Sequence, residues 1–512
     1  MEIENGLWLF FVLGLTAVCI LLLQSRNSNP LPPGPPRRFL GDNRADVPLI
    51  HFWKRFRLWN IQYGPVISFY LGRQPVIVLG TAEAAYDLLK KKGDVFSGRP
   101  RNIISNEILS GGMRGIGMSY GPRYRQWKSL VQSGLSNAAA LKYRPLQTIE
   151  ASLLMKDLLN SRGSLDYKDP LRRFAISIIF CVGYGRRIKL LSDDVVLANT
   201  KTEGYFNSVN VPGKFIVESW PVLLYLPRFL QWFRWEPERH REMDTQLYLS
   251  VMNDVKHQLA ENTAQPSMAA HSLSKQVEFG LDDVETAYAL SAPWAAGVGT
   301  TVASIEVFLL AMILFPAAMK RGQEEIDSVV GQGRLPLFQD YDSLLFIQAL
   351  IKEVTRWRCI TPTGVAHAAM ADEVYRGMFI PKGATVYANI YAMTTDPEVY
   401  PDPDEFRPER FLDTPGGNYD LPFGFGRRFC PGQHVALQTL FISIVRILWA
   451  FDVLPGLDEK GNVVLPAADA FTTSLVTRPM PFPCRFQPRH EGVEEVINDE
   501  AERAELDSAA WK

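Results

Sequence analysis

The chain has almost no excess of charge and few cysteines. Its 512 residues include 54 Lys and Arg against 55 Asp and Glu, so it lacks the basic field that nucleic-acid binding would need. We therefore expect no nucleic-acid partner. The five cysteines lie far apart with no C-x-x-C spacing, at Cys19, Cys181, Cys359, Cys430 and Cys484. This pattern excludes the usual zinc and dithiol motifs and favours a reducing compartment.

Nucleotide-binding fingerprints are also lacking. The glycine-rich stretch 111–117 does not match G-x-G-x-x-G, and no strand clearly precedes it, so it is interpreted as a flexible loop. Neither a P-loop nor a dinucleotide fingerprint occurs elsewhere in the sequence. Electrons from a nicotinamide would therefore have to arrive through another protein.

The N-terminus carries one long apolar run. Residues 6–24 are uncharged and mostly apolar, a length near the lower limit for spanning a bilayer. Two glutamates precede the run, whereas Arg26, Arg37 and Arg38 follow it. This distribution predicts a signal anchor with its C-terminal side in the cytosol, the alternative being a cleaved signal peptide.

Helical periodicity dominates the rest of the chain. Residues 65–72 and 75–80 are rich in β-branched and aromatic residues and predict a pair of short strands, whereas 81–357 has mostly helical or loop patterns. We therefore predict a mainly α fold with small β-sheets. The predicted divisions are a lumenal N-terminus at 1–5, a transmembrane helix at 6–24, a proline-rich linker at 25–38, a single catalytic domain at 39–490 and an acidic, disordered tail at 491–512.

The stretch 423–432, Phe-Gly-Phe-Gly-Arg-Arg-Phe-Cys-Pro-Gly, places one cysteine where a glycine-rich loop becomes a helix. Apolar residues recur at helical spacing after it, and Pro431 suits the first helical position, which makes Cys430 a candidate N-cap. A sulfur at the positive end of a helix is favoured as the thiolate, the form that binds metals. Gly426 and Gly432 let the backbone approach a flat cofactor closely.

Three motifs resemble, in order along the chain, the signature set of the cytochrome P-450 family of haem-thiolate monooxygenases. They are Glu353-Val354-Thr355-Arg356, Pro408-Glu409-Arg410-Phe411 and Phe423-x-x-Gly426-x-Arg428-x-Cys430-x-Gly432. The resemblance covers nearly the whole chain and implies the cytochrome P-450 fold, with haem b held by Cys430 as axial thiolate and contacted by Phe423 and Gly432. The anchor and proline spacer resemble the microsomal branch of the family. The sequence Phe-Arg-Pro-Glu-Arg-Phe resembles that of fungal members that modify secondary metabolites.

The resemblance implies a monooxygenase of the endoplasmic reticulum membrane, facing the cytosol, that inserts one oxygen atom of O2 into an apolar small molecule such as a terpenoid. It implies NADPH-cytochrome P-450 reductase as electron donor, with cytochrome b5 as an optional second donor. Alternatives are a haem-thiolate isomerase or dehydratase that needs no O2, and a non-catalytic haem-binding sensor. The substrate-wall positions that it implies are residues 103–116, 205–217, 292–300, 361–365 and 471–475.

A buried ion network is expected beside the cysteine loop. Glu353 and Arg356 lie three residues apart on one helix face, which in isolation is a common and weak surface pair. With Arg410 arriving from a later loop, they could form a buried network that is costly to break. The resemblance gives these residues a structural role rather than a chemical one.

Haem would bring two propionate carboxylates into an apolar pocket, where they need cationic or hydrogen-bonding partners. Arg428, two residues before the ligand, is the first candidate. The segment 124–128, Tyr-Arg-Gln-Trp-Lys, resembles the family's W-x-x-x-R helix. Arg125 or Lys128 is therefore expected to reach a propionate, and Tyr124 or Trp127 to hydrogen-bond one. His367 resembles another propionate-binding position, the alternative being a structural histidine.

The segment 296–301, Ala-Gly-Val-Gly-Thr-Thr, departs from the family pattern that it resembles. The family's A/G-G-x-D/E-T-T/S places an acid and an alcohol as a proton relay on the oxygen-binding side of the haem. Thr300 retains the alcohol and is the predicted catalytic residue, but Gly299 stands in the acid position. Water could replace the acid, a polar group of the substrate could donate the proton, or the reaction could need no O–O scission.

Two surfaces suggest partners. Residues 209–235 carry many large apolar side chains interrupted by prolines, which indicates either core packing or a surface that dips into the bilayer beside the anchor. The second is a set of basic residues that could dock an acidic reductase, the alternative being an ordinary solvated face. Its members are Arg123, Arg125, Lys128 and Arg427.

Overall fold

The computed structural model describes residues 29–38, 42–161, 164–211, 213–412 and 419–511, which are mainly helical with small sheets. The α-helices, in chain order, are α1 Phe52–Tyr63, α2 Ala82–Ala85, α3 Gly93–Phe96, α4 Pro122–Leu135, α5 Asn137–Lys142, α6 Arg144–Leu159, α7 Lys168–Tyr184, α8 Asp194–Val209, α9 Ile216–Ser219, α10 Trp235–Ala260, α11 Met268–Leu273, α12 Gln276–Phe279, α13 Asp283–Leu290, α14 Ala292–Leu314, α15 Pro316–Val329, α16 Leu345–Trp357, α17 Ile390–Thr394, α18 Gln433–Ala450 and α19 Val493–Asp507. Two π-helical segments occur at Tyr86–Lys91 and Ile103–Leu109.

The strands form three small sheets. They are β1 Val66–Leu71, β2 Gln74–Leu79, β3 His367–Ala368, β4 Glu373–Tyr375, β5 Met378–Ile380, β6 Thr385–Ala388, β7 Phe451–Leu457, β8 Val463–Val464 and β9 Cys484–Pro488. The largest sheet has the order β1-β2-β6-β3, and the others are β4-β5 and β8-β7-β9. The predicted strand pair is confirmed, because β1 and β2 pair antiparallel from Val66 opposite Leu79 to Leu71 opposite Gln74.

Helix α14 runs through the centre of the main hydrophobic core. Every side chain from Thr301 to Ile313 is buried, as expected for a helix that is apolar on all sides, and the helix packs against α7 and α18. The stretches Asp283–Leu314 and Gln433–Ala450 are long and apolar enough to cross a membrane by length and composition, yet most of their residues are buried inside the protein. Both are therefore core helices in this structure.

The proline-rich segment hydrogen-bonds to strands of two different sheets, β1 and β5. The carbonyl of Pro33 accepts a hydrogen bond from the Ser68 N–H at 2.9 Å, and the carbonyl of Pro30 accepts one from the Phe379 N–H at 2.7 Å. Prolines lack N–H groups but keep carbonyl acceptors, so the segment can dock on a sheet edge. The predicted lumenal residues 1–5, the predicted transmembrane helix 6–24 and the first linker residues 25–28 lie outside the described part of the chain.

The acidic C-terminal segment is a docked helix, so the prediction of a disordered tail at 491–512 was wrong. Helix α19 buries four small or aliphatic side chains along one face, Val493, Ile497, Ala501 and Ala504. Their spacing of four, four and three residues is helical, but it is easily overlooked among so many glutamates. The helix packs on α6, and the Arg187 guanidinium holds its end through Glu505 at 3.2 Å.

Candidate haem-thiolate site

Cys430 lies in the loop before α18. The helix begins at Gln433 with Gly432 as its N-cap, so the predicted N-cap position of Cys430 was wrong by two residues, because Pro431 and Gly432 first form a turn. The N–H groups of Gly432 and Gln433 still hydrogen-bond the sulfur and lower the pKa of its thiol, but burial raises that pKa by more. A thiolate here therefore needs a further positive charge, which a bound metal ion supplies.

The backbone ahead of the cysteine is fixed by close contacts. Gly426 has φ +54°, and a Cβ there would lie 2.3 Å from the carbonyl oxygen of Leu89, so the position requires glycine. The N–H of Cys430 donates to the carbonyl of Phe423 at 2.9 Å. A Cβ at Gly432 would lie 3.9 Å from the Cys430 Sγ. The structure thus brings the predicted Phe423 and Gly432 directly beside the sulfur-bearing residue.

The expected ion network is present, and its Glu353–Arg356 pair is fully buried. The Arg356 guanidinium donates to both carboxylate oxygens of Glu353 at 2.6 and 2.7 Å, and Arg410 Nε donates to the same carboxylate at 3.1 Å. Both Glu353 and Arg356 have no exposed surface. Arg356 also donates to the carbonyls of Thr394 and Pro403, each at 2.9 Å. The network therefore ties α16 to the segment that leads towards the cysteine loop.

Arg99 and Arg428 form the core of a cationic cluster next to that loop. Arg428 donates to the Ser97 carbonyl at 2.7 and 2.9 Å, and Arg99 donates to the Ala366 carbonyl at 2.7 Å. Burial, followed by the charge of Arg428, lowers the pKa of Arg99 to about 9. Within the described chain neither guanidinium has an ion pair with a carboxylate. The cluster consequently carries uncompensated positive charge.

His367 belongs to the same cluster as a neutral ring. Its Nδ1 donates to the carbonyl of Phe96 at 2.7 Å. Burial, and then the charge of Arg99, lowers the pKa of His367 to about 3. A backbone hydrogen bond of 3.0 Å from Ala368 to the Gly98 carbonyl joins the strand of His367 to the loop of Arg99. His367 thus lies beside Arg99 with its Nδ1–H committed to a backbone carbonyl, and its propionate-binding role stays a prediction.

Helix α4 contributes an unpartnered donor and two outward cations. Trp127 is 9% exposed, yet its Nε1 has no hydrogen-bond partner among the described residues. Lys128 Nζ donates to the carbonyl of Arg427 at 2.6 Å, and burial lowers its pKa. Arg125 is exposed, with its guanidinium 5.8 Å from the centre of the Tyr120 ring. Of the predicted alternatives in this segment, the structure brings Trp127 towards the cluster and leaves Arg125 on the surface.

These donors fit haem by their chemistry. A sulfur that receives two N–H groups can serve as an axial ligand. Two unpaired guanidiniums and a buried indole N–H can satisfy two carboxylates in an apolar pocket. No group of three or more His, Cys, Asp or Glu side chains suited to a metal ion occurs among the described residues. Of the described free cysteines, Cys181, Cys359 and Cys484 are buried whereas Cys430 is partly accessible, so the Cys430 sulfur is the candidate metal ligand.

On α14, Gly299 stands where the family pattern has an acid, and open space takes the place of the carboxylate. A Cβ built on Gly299 would meet nothing within 4 Å, whereas one on Gly297 would lie 2.5 Å from Ile179 Cδ1. Gly297 is therefore a packing residue and Gly299 is not. The Thr300 hydroxyl donates within its own helix, to the carbonyl of Ala296 at 2.8 Å. Its O–H is occupied, while its oxygen can still accept a hydrogen bond.

Arg99 is the site residue that the sequence did not reveal. It stands alone in Ser97-Gly98-Arg99-Pro100 and belongs to none of the recognised motifs. An isolated arginine in a loop is ordinarily a surface residue. Only the folding of three segments onto one another buries it beside Arg428 and His367.

Comparisons with known proteins show what this chain is similar to. The family model described as Cytochrome P450 matches residues 32–475. Cytochrome P450 monooxygenase 58 of Postia placenta is 38% identical over 507 residues, which cover 97% of this chain and 95% of that protein. Cytochrome P450 monooxygenase peniB of Penicillium patulum is 34% identical over 483 residues, which cover 94% and 89%. A zebrafish cytochrome P450 solved with abiraterone has a TM-score of 0.71 at 22% identity, covering 87% of this chain and 100% of that one, and supports the fold.

Proposed function

This chain belongs to the cytochrome P450 family, and on that premise we propose that it is a monooxygenase that inserts one atom of O2 into an apolar small molecule, with electrons from NADPH delivered by a reductase. The family's members are oxidoreductases that use haem with a cysteine thiolate ligand. Bound haem supplies dioxygen activation, which a thiolate ligand promotes by pushing electron density onto the iron. The observation that carries the proposal is the Cys430 sulfur in the loop before α18, which receives the N–H groups of Gly432 and Gln433, together with the uncompensated cations of the same loop region.

Each residue of the site has a proposed task. Cys430 would hold the haem iron through its sulfur, and Arg99, Arg428 and the Trp127 indole would hold the propionates. His367 packs against them as a neutral ring, which avoids a third buried charge in the cluster. This assignment gives every uncompensated donor described above a matching acceptor.

Proton delivery is proposed to run through water at Gly299. Open space beside this glycine gives room for water where the family pattern has an acid. The Thr300 oxygen can accept a hydrogen bond from such a water because its own O–H is directed at the Ala296 carbonyl. A chain of this kind moves protons without a fixed carboxylate.

The substrate is proposed to be apolar and of secondary-metabolite type, such as a terpenoid. Two segments expected as substrate walls, Ile103–Leu109 and the described part of 205–217, contribute apolar residues to one hydrophobic cluster that also contains Phe233. On α14, Ala295, Ala296 and Gly299 are small and accessible. Small and aliphatic walls bind apolar carbon skeletons by burial rather than by polar recognition.

Two surfaces support membrane and reductase partners. The connection between α9 and α10 exposes large apolar rings, with Trp220 63%, Tyr225 89% and Phe229 74% accessible, and such rings suit a membrane interface. A surface cavity of about 410 Å³ is lined in part by Arg125, Lys128 and Arg427. We propose residence in the endoplasmic reticulum membrane, with NADPH-cytochrome P450 reductase, and optionally cytochrome b5, docking at the cavity.

Reconstitution with the reductase and candidate terpenoids tests the proposal. Product should form only when NADPH, reductase and O2 are all present, with one oxygen atom from labelled O2 in the product. Product formed without O2 or NADPH would instead support the isomerase or dehydratase alternative, which the missing acid at Gly299 keeps open. Haem binding with no turnover of any candidate would favour the sensor alternative.

A further inference from the structure

The glycine-rich loop between the Ile103–Leu109 helix and α4 holds a buried arginine that the proposed function does not use. Gly111 and Gly112 have φ of +56° and +73°, which lets the chain turn sharply and send Arg114 inward. Arg114 is only 7% exposed. Its guanidinium donates to Glu203 at 3.0 Å and to Asp244 at 3.3 Å.

The partners of Arg114 come from two different helices. Glu203 lies on α8, whereas Asp244 and Tyr248, whose hydroxyl accepts from Arg114 at 2.8 Å, lie on α10. Thr202 on α8 donates to Asp244 at 2.9 Å and joins the two helices directly. Charged hydrogen bonds of this kind in a buried setting hold the loop firmly to α8 and α10.

The backbone that follows Arg114 holds the propionate-binding cations. Arg428 donates to the carbonyls of Gly115 at 3.4 Å and Met118 at 2.5 Å, and Arg99 donates to the carbonyl of Ile116 at 3.0 Å. Three of the four residues 115–118 thus fix the two guanidiniums through main-chain acceptors. The side chain of Arg114 and the carbonyls behind it cannot move independently.

The same short backbone touches the remaining propionate donor. A Cβ at Gly115 would lie 2.3 Å from the ring of Trp127, so the loop backbone packs directly against this indole. A displacement of the loop would therefore shift all three groups together, Arg99, Arg428 and Trp127. Packed interiors transmit such displacements because they have little free volume.

We propose that Arg114 is a positioning residue that couples helices α8 and α10 to the haem propionates through the backbone of residues 115–118. Its carboxylate partners set where Arg99 and Arg428 stand, and hence how well the propionate charge is neutralised. Because reduction adds negative charge to the haem, better neutralisation raises the reduction potential. A ligand that moves α8 and α10 when it binds would then change the reduction potential without itself contacting the haem. The haem assignment of the proposed function underlies this inference, but the inference does not depend on the substrate or the reductase.

The test is the midpoint potential of the purified, substrate-free holoprotein carrying Glu203→Gln. This change removes one charged partner of Arg114 and leaves Asp244 in place. The ferric-to-ferrous ratio at a fixed potential should rise at least threefold, which is a fall in midpoint potential of about 28 mV for a one-electron couple. Glu203→Asp, which keeps the charge, should restore most of the difference.

Glu107→Gln is the matched control. Glu107 lies on the neighbouring π-helical segment and pairs with Arg101 at 2.6 Å. No described contact joins that pair to residues 115–118. A Glu203→Gln potential that does not fall below that of Glu107→Gln would overturn the coupling. The carbon monoxide complex of each reduced variant checks that the thiolate remains bound. Failure of the wild type as well as the variants to turn over any candidate substrate would favour the sensor alternative over monooxygenation while leaving the potentials interpretable.

Discussion

Gly299→Asp is expected to improve the coupling of NADPH consumption to product formation. A Cβ at this position meets nothing within 4 Å, so the carboxylate can be placed without displacing a neighbour. It would stand one residue before Thr300, whose hydroxyl donates within its own helix, to the carbonyls of Ala296 at 2.8 Å and Gly297 at 3.3 Å. The substitution therefore supplies a proton donor that this side of the site lacks.

The magnitude of the Gly299 effect follows from general acid catalysis. A positioned acid contributes typically about 10²–10⁴-fold; since water already carries protons here, we expect at most about 100-fold in product formation, or about 2.7 kcal/mol of barrier. Aspartate is a slightly better helix former than glycine, by about 0.3 kcal/mol. The fold should consequently be unaffected, and a change in turnover can be attributed to proton delivery.

The assay compares product formed with NADPH consumed for the wild type, Gly299→Asp and Gly299→Asn. Asparagine has nearly the same shape as aspartate but cannot deliver a proton as an acid, so it controls for the displaced water. The reasoning is refuted if aspartate couples no better than asparagine or wild type. Gly297→Ala is a further control for the helix itself, because its Cβ would press on Ile179 at 2.5 Å and overpacking costs about 1–3 kcal/mol.

Three further substitutions separate structural from haem-binding roles. Glu353→Gln should cost about 3–5 kcal/mol in denaturant unfolding, because it leaves the fully buried Arg356 without its anion; a loss below about 1 kcal/mol would contradict a buried network. Arg99→Gln should speed haem transfer to an acceptor protein by about 10-fold or more, because it removes one charged hydrogen bond to haem. Arg125→Gln, at an exposed position, should change the transfer rate by less than about twofold. Equal transfer rates for the two variants would show that Arg99 does not bind a propionate. Ile497→Ala should lower the unfolding free energy by about 2–5 kcal/mol, since Ile497 is fully buried in the main core; an unchanged midpoint would mean that α19 is not part of the cooperative fold.

Local motifs carried most of what the sequence could predict. The residues of the cysteine stretch are close together in the sequence, and so are Glu353 and Arg356. The geometry of each motif therefore follows from one turn or one helix. The strand pair β1–β2 was predictable for the same reason, because a two-residue connection fixes its register. These features needed no knowledge of distant contacts.

What escaped prediction depends on distant segments. Arg99 becomes a haem-site candidate only because Arg428 and His367 arrive from more than 260 residues away. Helix α19 was misread because its glutamates dominate the composition, while the four residues that dock it are small or few. The register of α4 was ambiguous for a similar reason. Whether Arg125, Trp127 or Lys128 faces inward is decided by what α4 packs against.

The adjacent arginines of the cysteine loop divide the inner site from the outer surface. The Arg428 guanidinium turns inward to the carbonyls of Ser97 and Met118, whereas Arg427 is exposed and lies 4.8 Å over the Tyr120 ring. The Arg427 carbonyl accepts hydrogen bonds from Lys128 at 2.6 Å and from the Tyr124 hydroxyl at 3.2 Å. One short turn therefore joins Arg428, which is proposed to bind a propionate, to the basic cavity proposed for the reductase. A partner that binds the Arg427 side chain would also displace the backbone that carries Cys430. Partner docking and the environment of the thiolate should therefore be coupled in this protein.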